Sequence, residues 1–337
     1  MSTNVAVDPM IIVRDLNVHF KSRRGLTKTR IIKAVDGVSF ELRAGETLGI
    51  AGESGSGKST VARTLVHINR PTGGEILLDG TSVANIKGKK LKQYRRRMQM
   101  VYQDPYDSLD PRMSVRDAIS EAFAVRELPK SEHASEVAVL LHRVNLPESV
   151  AERYPGQLSG GQRQRVSIAR ALAVQPEVII CDEAVAALDV SIRAQILNLL
   201  KDIQGDTGVS YLFISHDLST LRFMADQVAI MYVGRVVEYG TSEEVFSNPL
   251  HPYTKALIAA VPSIATHGEQ RRLKLSGEPP DPGNPPTGCP FHPRCPEAVD
   301  RCRSERPVLE MKGSGQLVAC HVATPTRRSG VVSGETA

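Results

Sequence analysis

The stretch Gly52-Glu53-Ser54-Gly55-Ser56-Gly57-Lys58-Ser59, followed by Thr60, constrains this chain more than any other feature. A short apolar run, Thr47–Ala51, precedes it, and a helical pattern follows from Lys58 to about Ile68. Strand, glycine loop and helix in that order open an α/β unit. Glycines let the backbone curl until successive N–H groups point inward at phosphate oxygens. The helix adds its positive end. Gly52, Ser54, Gly55, Ser56, Gly57 and Thr60 therefore belong to a phosphate-binding loop. In that pattern Lys58 reaches the β- and γ-phosphates of a nucleotide, and Ser59 ligates Mg²⁺.

Composition agrees with a packed domain around that loop. Hydrophobic residues make up 41% of the 337 positions and charged residues 23%, which excludes wholesale disorder. Trp is absent and aromatics are 4%, so Leu, Ile, Val and Ala must fill the core. A binder that stacks successive bases on aromatic rings is disfavoured. The net charge of +5 is too mild to argue for nucleic acid. No apolar run approaches the roughly 18 residues that cross a bilayer. The opening MSTNVAVDPMIIVRDL lacks a basic start followed by an apolar stretch, so no secretory signal is expected and the chain reads as cytosolic. Five cysteines in such a chain point away from a disulfide framework. No internal repeat is evident.

Ile11–Phe20 and Ile31–Leu42 read as strands, with Lys21–Arg30 as a loop between them. The basic stretch Lys87–Arg97 holds seven cations in eleven residues and reads as a solvated surface segment, with Met98–Tyr102 a strand after it. Ser114 to about Asn145 has helical spacing. A helix from near Gln162 to Ala173, a buried strand Val178–Cys181, a helix Ser191–Gln204, a strand Tyr211–Ile214 and a hairpin over 228–239 follow. Eight prolines between Pro279 and Pro296 exclude regular helix or central strand there.

The strand Val178–Cys181 ends in Asp182 and Glu183. Ligands in open α/β sheets sit beyond the carboxyl ends of strands. Asp182 is then placed to hold Mg²⁺ through water, and Glu183 to polarise the attacking water. Leu158-Ser159-Gly160-Gly161-Gln162 stands at a helix start, where a serine and two glycines make an anion-binding surface.

Together these motifs make the chain similar to the nucleotide-binding subunit of an ATP-binding-cassette (ABC) transporter. Walker A, the LSGGQ signature and the Walker B strand stand in family order, with Gln103 after MQMVY and His216 in FISHD. The resemblance implies a P-loop NTPase fold: a RecA-like α/β core with an N-terminal antiparallel β-subdomain and an inserted helical subdomain at about 106–163. It implies head-to-tail pairing, with ATP between Walker A of one subunit and Ser159, Gly160, Gly161 and Gln162 of the other. It implies that His216 contacts the γ-phosphate and holds Glu183 and water. Gln103 would approach Mg²⁺, and Asp189 would lie in the D-loop. Phe20 is the nearest candidate to stack on adenine. Ala184-Val185 stands where the family often has Pro-Thr, with only a local backbone effect expected.

Further segments resemble the ATPases of oligopeptide and dipeptide importers, an architecture shared by nickel importers. They are Gln103-Asp-Pro-Tyr-Asp-Ser-Leu-Asp-Pro111, Asn248-Pro-Leu-His-Pro-Tyr-Thr254, the segment at Gly277 and Cys289-Pro-Phe-His-Pro-Arg-Cys295. The implied layout is a nucleotide-binding domain over 8–247, a C-terminal domain over 248–322 and a disordered tail over 323–337. The implied partners are two membrane permeases, a second and paralogous ATPase subunit and an extracytoplasmic solute-binding protein, with no nucleic acid. The location would be peripheral, on the cytoplasmic membrane face, and the cargo a peptide, with nickel or another small solute as the alternative. Four cysteines, Cys289, Cys295, Cys302 and Cys320, are spaced C-x5-C-x6-C-x17-C. Four thiolates can bind Zn²⁺ or an iron–sulfur cluster. Some peptide-importer ATPases carry a [4Fe–4S] cluster here, so a cluster is expected ahead of zinc. Cys181, mid-strand, reads as a core residue.

Overall fold

Alternation of apolar and polar residues sets the first sheet. In the computed structural model, which describes residues 8–24, 28–104, 108–260, 277–312 and 315–324, strands β1 (Pro9–Arg24) and β2 (Lys28–Arg43) pair antiparallel, with Ile11 opposite Leu42 and Phe20 opposite Ile32. Within β1, Ile11 and Val13 are buried while Arg14 is exposed, the period of two that a half-buried strand requires. Strand β4 (Gly73–Leu78) pairs with β1, and a short β5 (Thr81–Ser82) completes the order β2-β1-β4-β5.

Among the described residues the second sheet has eight strands, in the order β11 (Glu310–Lys312), β12 (Gln316–Val318), β10 (Arg235–Thr241), β9 (Gln227–Tyr232), β3 (Thr47–Ala51), β8 (Ser210–Ile214), β7 (Val178–Asp182) and β6 (Met98–Val101). Its parallel part contains β3, β6, β7, β8 and β9. Every residue of β3, β7 and β8 is buried, which is why these segments read as unbroken apolar runs. Successive residues serve opposite faces. Val178 and Ile180 join the core shared with the first sheet and the helix Lys58–Leu65. Ile179 and Cys181 join a second core with Ile196 and Leu200 of the helix Val190–Thr207.

The expected helical stretch 114–145 is divided into Val115–Ser120, Phe123–Arg126 and His133–Arg143. Glu127, with φ of 56°, and Pro129 interrupt it. Val115, Ile119, Phe123, Val137, Leu140 and Leu141 bury one face against the helix Gly160–Leu172. Residues 105–107, where this subdomain was expected to begin, lie outside the described residues. The basic stretch is a helix, Gly88–Arg97, and is only partly solvated. Lys87, Lys89, Lys90 and Lys92 are exposed, but Tyr94 is buried and Arg97 is gripped by Asp79 and Glu177.

Beyond the antiparallel strand β10 (Arg235–Thr241), the chain makes helices Ser242–Ser247, Pro252–Ala259 and Asp300–Ser304. Between Pro279 and Pro296 the one regular element is a single 3₁₀ turn, His292–Arg294. Strands β11 (Glu310–Lys312) and β12 (Gln316–Val318) then return to the cassette, and β12 pairs with β10 through Glu238 opposite Val318. Among the tail residues, 325–337 lie outside the described residues. No helix among the described residues is long and apolar enough to cross a membrane.

Candidate functional site

The phosphate loop leaves the carboxyl end of β3 and enters the helix Lys58–Leu65. Two of its glycines are required by backbone proximity. A Cβ on Gly52 would lie 2.2 Å from the carbonyl oxygen of Met231, and one on Gly57 would lie 2.2 Å from that of Ala34. Both have positive φ, 152° and 104°, which side-chain-bearing residues seldom adopt. A cavity of about 220 Å³ opens over the loop, lined by Ser54, Gly55, Gly57, Lys58, Ser59, Thr60, Glu183, Ile32, Ala34 and Pro282. Lys58 is buried, and its Nζ donates to the carbonyls of Gly52 at 2.8 Å and Glu53 at 2.9 Å. Burial lowers its pKa, against the attraction of Glu183, Asp182 and Glu53. Ser56, within the loop, is buried.

Asp182 ends β7 and accepts a hydrogen bond from Ser59 Oγ at 2.8 Å. Its carboxyl is buried, and desolvation raises its pKa against the lowering by Ser59 and Arg63. A desolvated carboxylate beside a hydroxyl is a hard oxygen pair that suits Mg²⁺, whose charge would offset the burial. Next in sequence, Glu183 adopts φ of 52°, in the left-handed region, with its N–H donating to Ile214 O at 3.0 Å. Such backbone strain concentrates at functional positions. His216 Nδ1 stands 3.2 Å from Glu183 Oε2.

The remaining expected residues lie elsewhere. Ser159 caps the helix Gly160–Leu172: its Oγ accepts from Gln162 N at 3.3 Å, and Gln162 Oε1 accepts from Ser159 N at 3.0 Å. Gly161 lies against the helix Val190–Thr207, where a Cβ would come within 2.6 Å of Ile192 Cγ2. None of Ser159, Gly160, Gly161 and Gln162 lines the phosphate cavity of its own chain. Asp189 is an exposed cap before Val190, and Gln103 is exposed at a bend after β6. Phe20 is exposed and absent from the cavity wall, where Ile32 of β2 and Pro282 stand instead.

Residues 35–186 match the ABC transporter family, and residues 237–302 match the oligopeptide/dipeptide transporter C-terminal region. The chain is 49% identical over 321 residues to a probable peptide ABC transporter ATP-binding protein of Sinorhizobium fredii, covering 94% of this chain and 91% of that one. It is 47% identical to the oligopeptide transport ATP-binding protein AppF of Bacillus subtilis, covering 94% and 98%. The chain belongs to the ATP-binding subunits of peptide-type ABC transporters. The fold agrees. The structure of cbiO1 from Clostridium perfringens, part of the ABC transporter complex cbiONQ, superimposes with a TM-score of 0.62 at 29% identity, covering 72% of this chain and 92% of that one. The ATP-binding cassette MJ0796, in a dimeric structure bound to ADP and Pi, gives 0.61 at 28% identity, covering 69% and 99%. This ABC subunit is accordingly an ATPase.

The expected iron–sulfur cluster, and its zinc alternative, must be withdrawn for this ABC ATPase. Among the described residues, no three His, Cys, Asp or Glu side chains converge to hold a metal ion. The thiols serve packing. Cys289 and Cys302 belong to the large core and Cys295 packs on it, while Cys320 sits in a separate cluster with Leu250 and Val318. Burial raises the pKa of Cys289 and Cys320, and pushes Cys295 up to about 11, so protonated thiols are favoured. The neighbouring imidazoles are engaged: His292 Nδ1 bonds Cys289 O at 2.9 Å and His321 Nε2 bonds Glu305 O at 3.0 Å. A different feature, the grip of Arg294 and Tyr253 on Glu53 of the phosphate loop, carries no local sequence signal. Sequence separations of 200 and 241 residues leave no local pattern to detect.

Proposed function

We propose that this chain hydrolyses MgATP to drive peptide import through two membrane permeases, paired head-to-tail with a second, paralogous ATPase. An extracytoplasmic solute-binding protein delivers the peptide, and the chain works at the cytoplasmic face of the membrane. Gly52–Thr60 wraps the phosphates, Lys58 turns from its own loop to the β- and γ-phosphates, and Ser59 and Asp182 hold Mg²⁺. Bound Mg²⁺ would neutralise charge on the phosphate oxygens. Glu183 accepts a proton from the attacking water, His216 contacts the γ-phosphate and fixes that carboxylate, Gln103 approaches the Mg²⁺ site and the water, and Asp189 lies in the D-loop. Ser159, Gly160, Gly161 and Gln162 cover the partner's γ-phosphate, a role consistent with their absence from the cavity of their own chain. The nucleotide-binding domain is assigned to 8–247 and the C-terminal domain to 248–322.

The observation that carries this reading is the meeting of Lys58, Ser59 and Glu183 in one cavity, with Asp182 bonded to Ser59. A groove of about 580 Å³ between β6 and the helical part, lined by Met100, Tyr102, Ser108, Glu121 and Arg170, suits a short permease helix. The test is reconstitution with the permeases and binding protein in vesicles, following a labelled peptide. ATP-dependent uptake that stops with Glu183→Gln supports the proposal. A binding protein that retains only a metal chelate or another solute, with no peptide uptake, overturns the peptide assignment.

A further inference from the structure

Glu53 is the second residue of the phosphate loop, yet it does not line the cavity over that loop. Its carboxylate is held from the far end of the chain. Arg294 Nη1 donates to Glu53 Oε2 at 2.8 Å and Arg294 Nη2 to Glu53 Oε1 at 3.0 Å. This is the two-bond fork that fixes a carboxylate in position as well as in charge. The Arg294 side chain is only 6% exposed, so water competes weakly for it. Its Nη1 also lies 3.3 Å from the hydroxyl of Tyr232, and its guanidinium carbon 5.9 Å from that ring's centre.

The backbone of Glu53 is held as well. Its N–H donates to the hydroxyl of Tyr253 at 2.9 Å. Tyr253 and Tyr232 pack on Phe291, with ring centres 5.4 and 5.3 Å away. Phe291 and Arg294 share one turn, in which Arg294 N donates to Phe291 O at 3.0 Å and Pro293 restricts the backbone. Among the described residues, the two attachments of Glu53 outside its own loop and strand therefore come from residues beyond 250. What they steady is functional geometry, because the carbonyls of Gly52 and Glu53 are the acceptors that place Lys58.

We propose that Arg294 is a positioning residue for the phosphate loop: through Glu53 it sets the loop's geometry, and so the C-terminal segment tunes nucleotide affinity. This rests on the reading of Gly52–Thr60 as the ATP loop. Arg294 touches no reacting atom, and its loss should weaken binding far more than turnover.

The experiment measures MgATP affinity of the full chain with a fluorescent nucleotide, and KM and kcat for hydrolysis, in Arg294→Met, Arg294→Lys, Glu53→Gln and the Glu53→Gln/Arg294→Met double variant. Arg294→Met is expected to raise Kd and KM about tenfold with kcat within about twofold of the parent. Arg294→Lys, which keeps the charge but not the fork, should fall between. The double variant should bind no more weakly than the worse single one, because both substitutions break the same link. A folded Arg294→Met protein whose Kd stays within about twofold of the parent overturns the proposal. So does a loss confined to kcat, which is what a smaller active fraction would give, and so do independent effects that multiply in the double variant. Should Arg294→Met fail to fold, Glu53→Gln decides: weakened binding supports the proposal and unchanged binding overturns it. A parent chain that fails to bind MgATP sinks the functional reading and this inference together. A parent that binds, beside an Arg294→Met that binds equally, sinks this inference alone.

Discussion

Replacing Lys58 with Met should separate stability from binding. Lys58 is 4% exposed, and its ammonium is held by two carbonyls and attracted by three carboxylates. Even so, burial leaves its pKa below the ordinary 10.5. A lysine with a lowered pKa in the folded state means that the unfolded chain binds the proton more tightly. Charged Lys58 therefore costs the nucleotide-free protein stability at neutral pH. The cost fades as pH rises through the folded value toward 10.5. Met keeps the length and apolar stem and removes the buried charge, and Glu53 O retains Ser56 N as a donor at 3.2 Å. The thermal midpoint of the nucleotide-free Lys58→Met protein should equal or exceed that of the parent at pH 7. Affinity for MgATP should fall. A hydrogen bond to a charged group contributes about 1.5–3 kcal/mol, so losing one to phosphate weakens binding roughly 10- to 150-fold. Differential scanning fluorimetry without nucleotide and isothermal titration with MgATP measure the two quantities. A variant that melts several degrees lower, or binds MgATP within about twofold of the parent, refutes this account of the buried ammonium.

Three other outcomes are expected. Glu183→Gln should bind MgATP like the parent and hydrolyse it about 10²- to 10⁴-fold more slowly, as read by phosphate release. Gly161→Val should destabilise by about 1–3 kcal/mol in urea unfolding, since even a Cβ meets Ile192 Cγ2 at 2.6 Å. Phe20→Ala should leave the Kd for MgATP within about twofold, because Phe20 is absent from the wall of the cavity over the phosphate loop; a larger loss would make it the adenine contact.

The parallel strands and the phosphate loop were legible because their signals are local. The apolar run Thr47–Ala51, the glycines after it and the acidic end of Val178–Asp182 each carry their own physical cause. Strand Gly73–Leu78 carries little local signal, since its three apolar residues lie between Gly73-Gly74-Glu75 and Asp79-Gly80, and its pairing with Ile11–Arg14 is a tertiary event. Phe20 is an adenine candidate by resemblance alone, whereas Ile32, opposite it across the hairpin, and Pro282 from the far end of the chain line the cavity over the phosphate loop without a local sequence signal. The cysteine spacing misleads. Spacing shows which thiols exist, whereas their division between two apolar clusters depends on how the C-terminal segment folds back.

That folding back decides how far the cassette could be shortened. Strand β12 covers the hydrogen-bonding side of β10, and the sheet then ends in three-residue β11, which carries Glu310 and Lys312. Glu238, wholly inaccessible, takes donors from Leu250 N, His251 N and Gln316 Nε2. A chain cut after Ser247 would strand that carboxylate without these three donors. It would also bare a β10 rich in valine, a template for strand addition by its neighbours. Insoluble aggregates, rather than a minimal soluble motor, are the natural product of such a truncation.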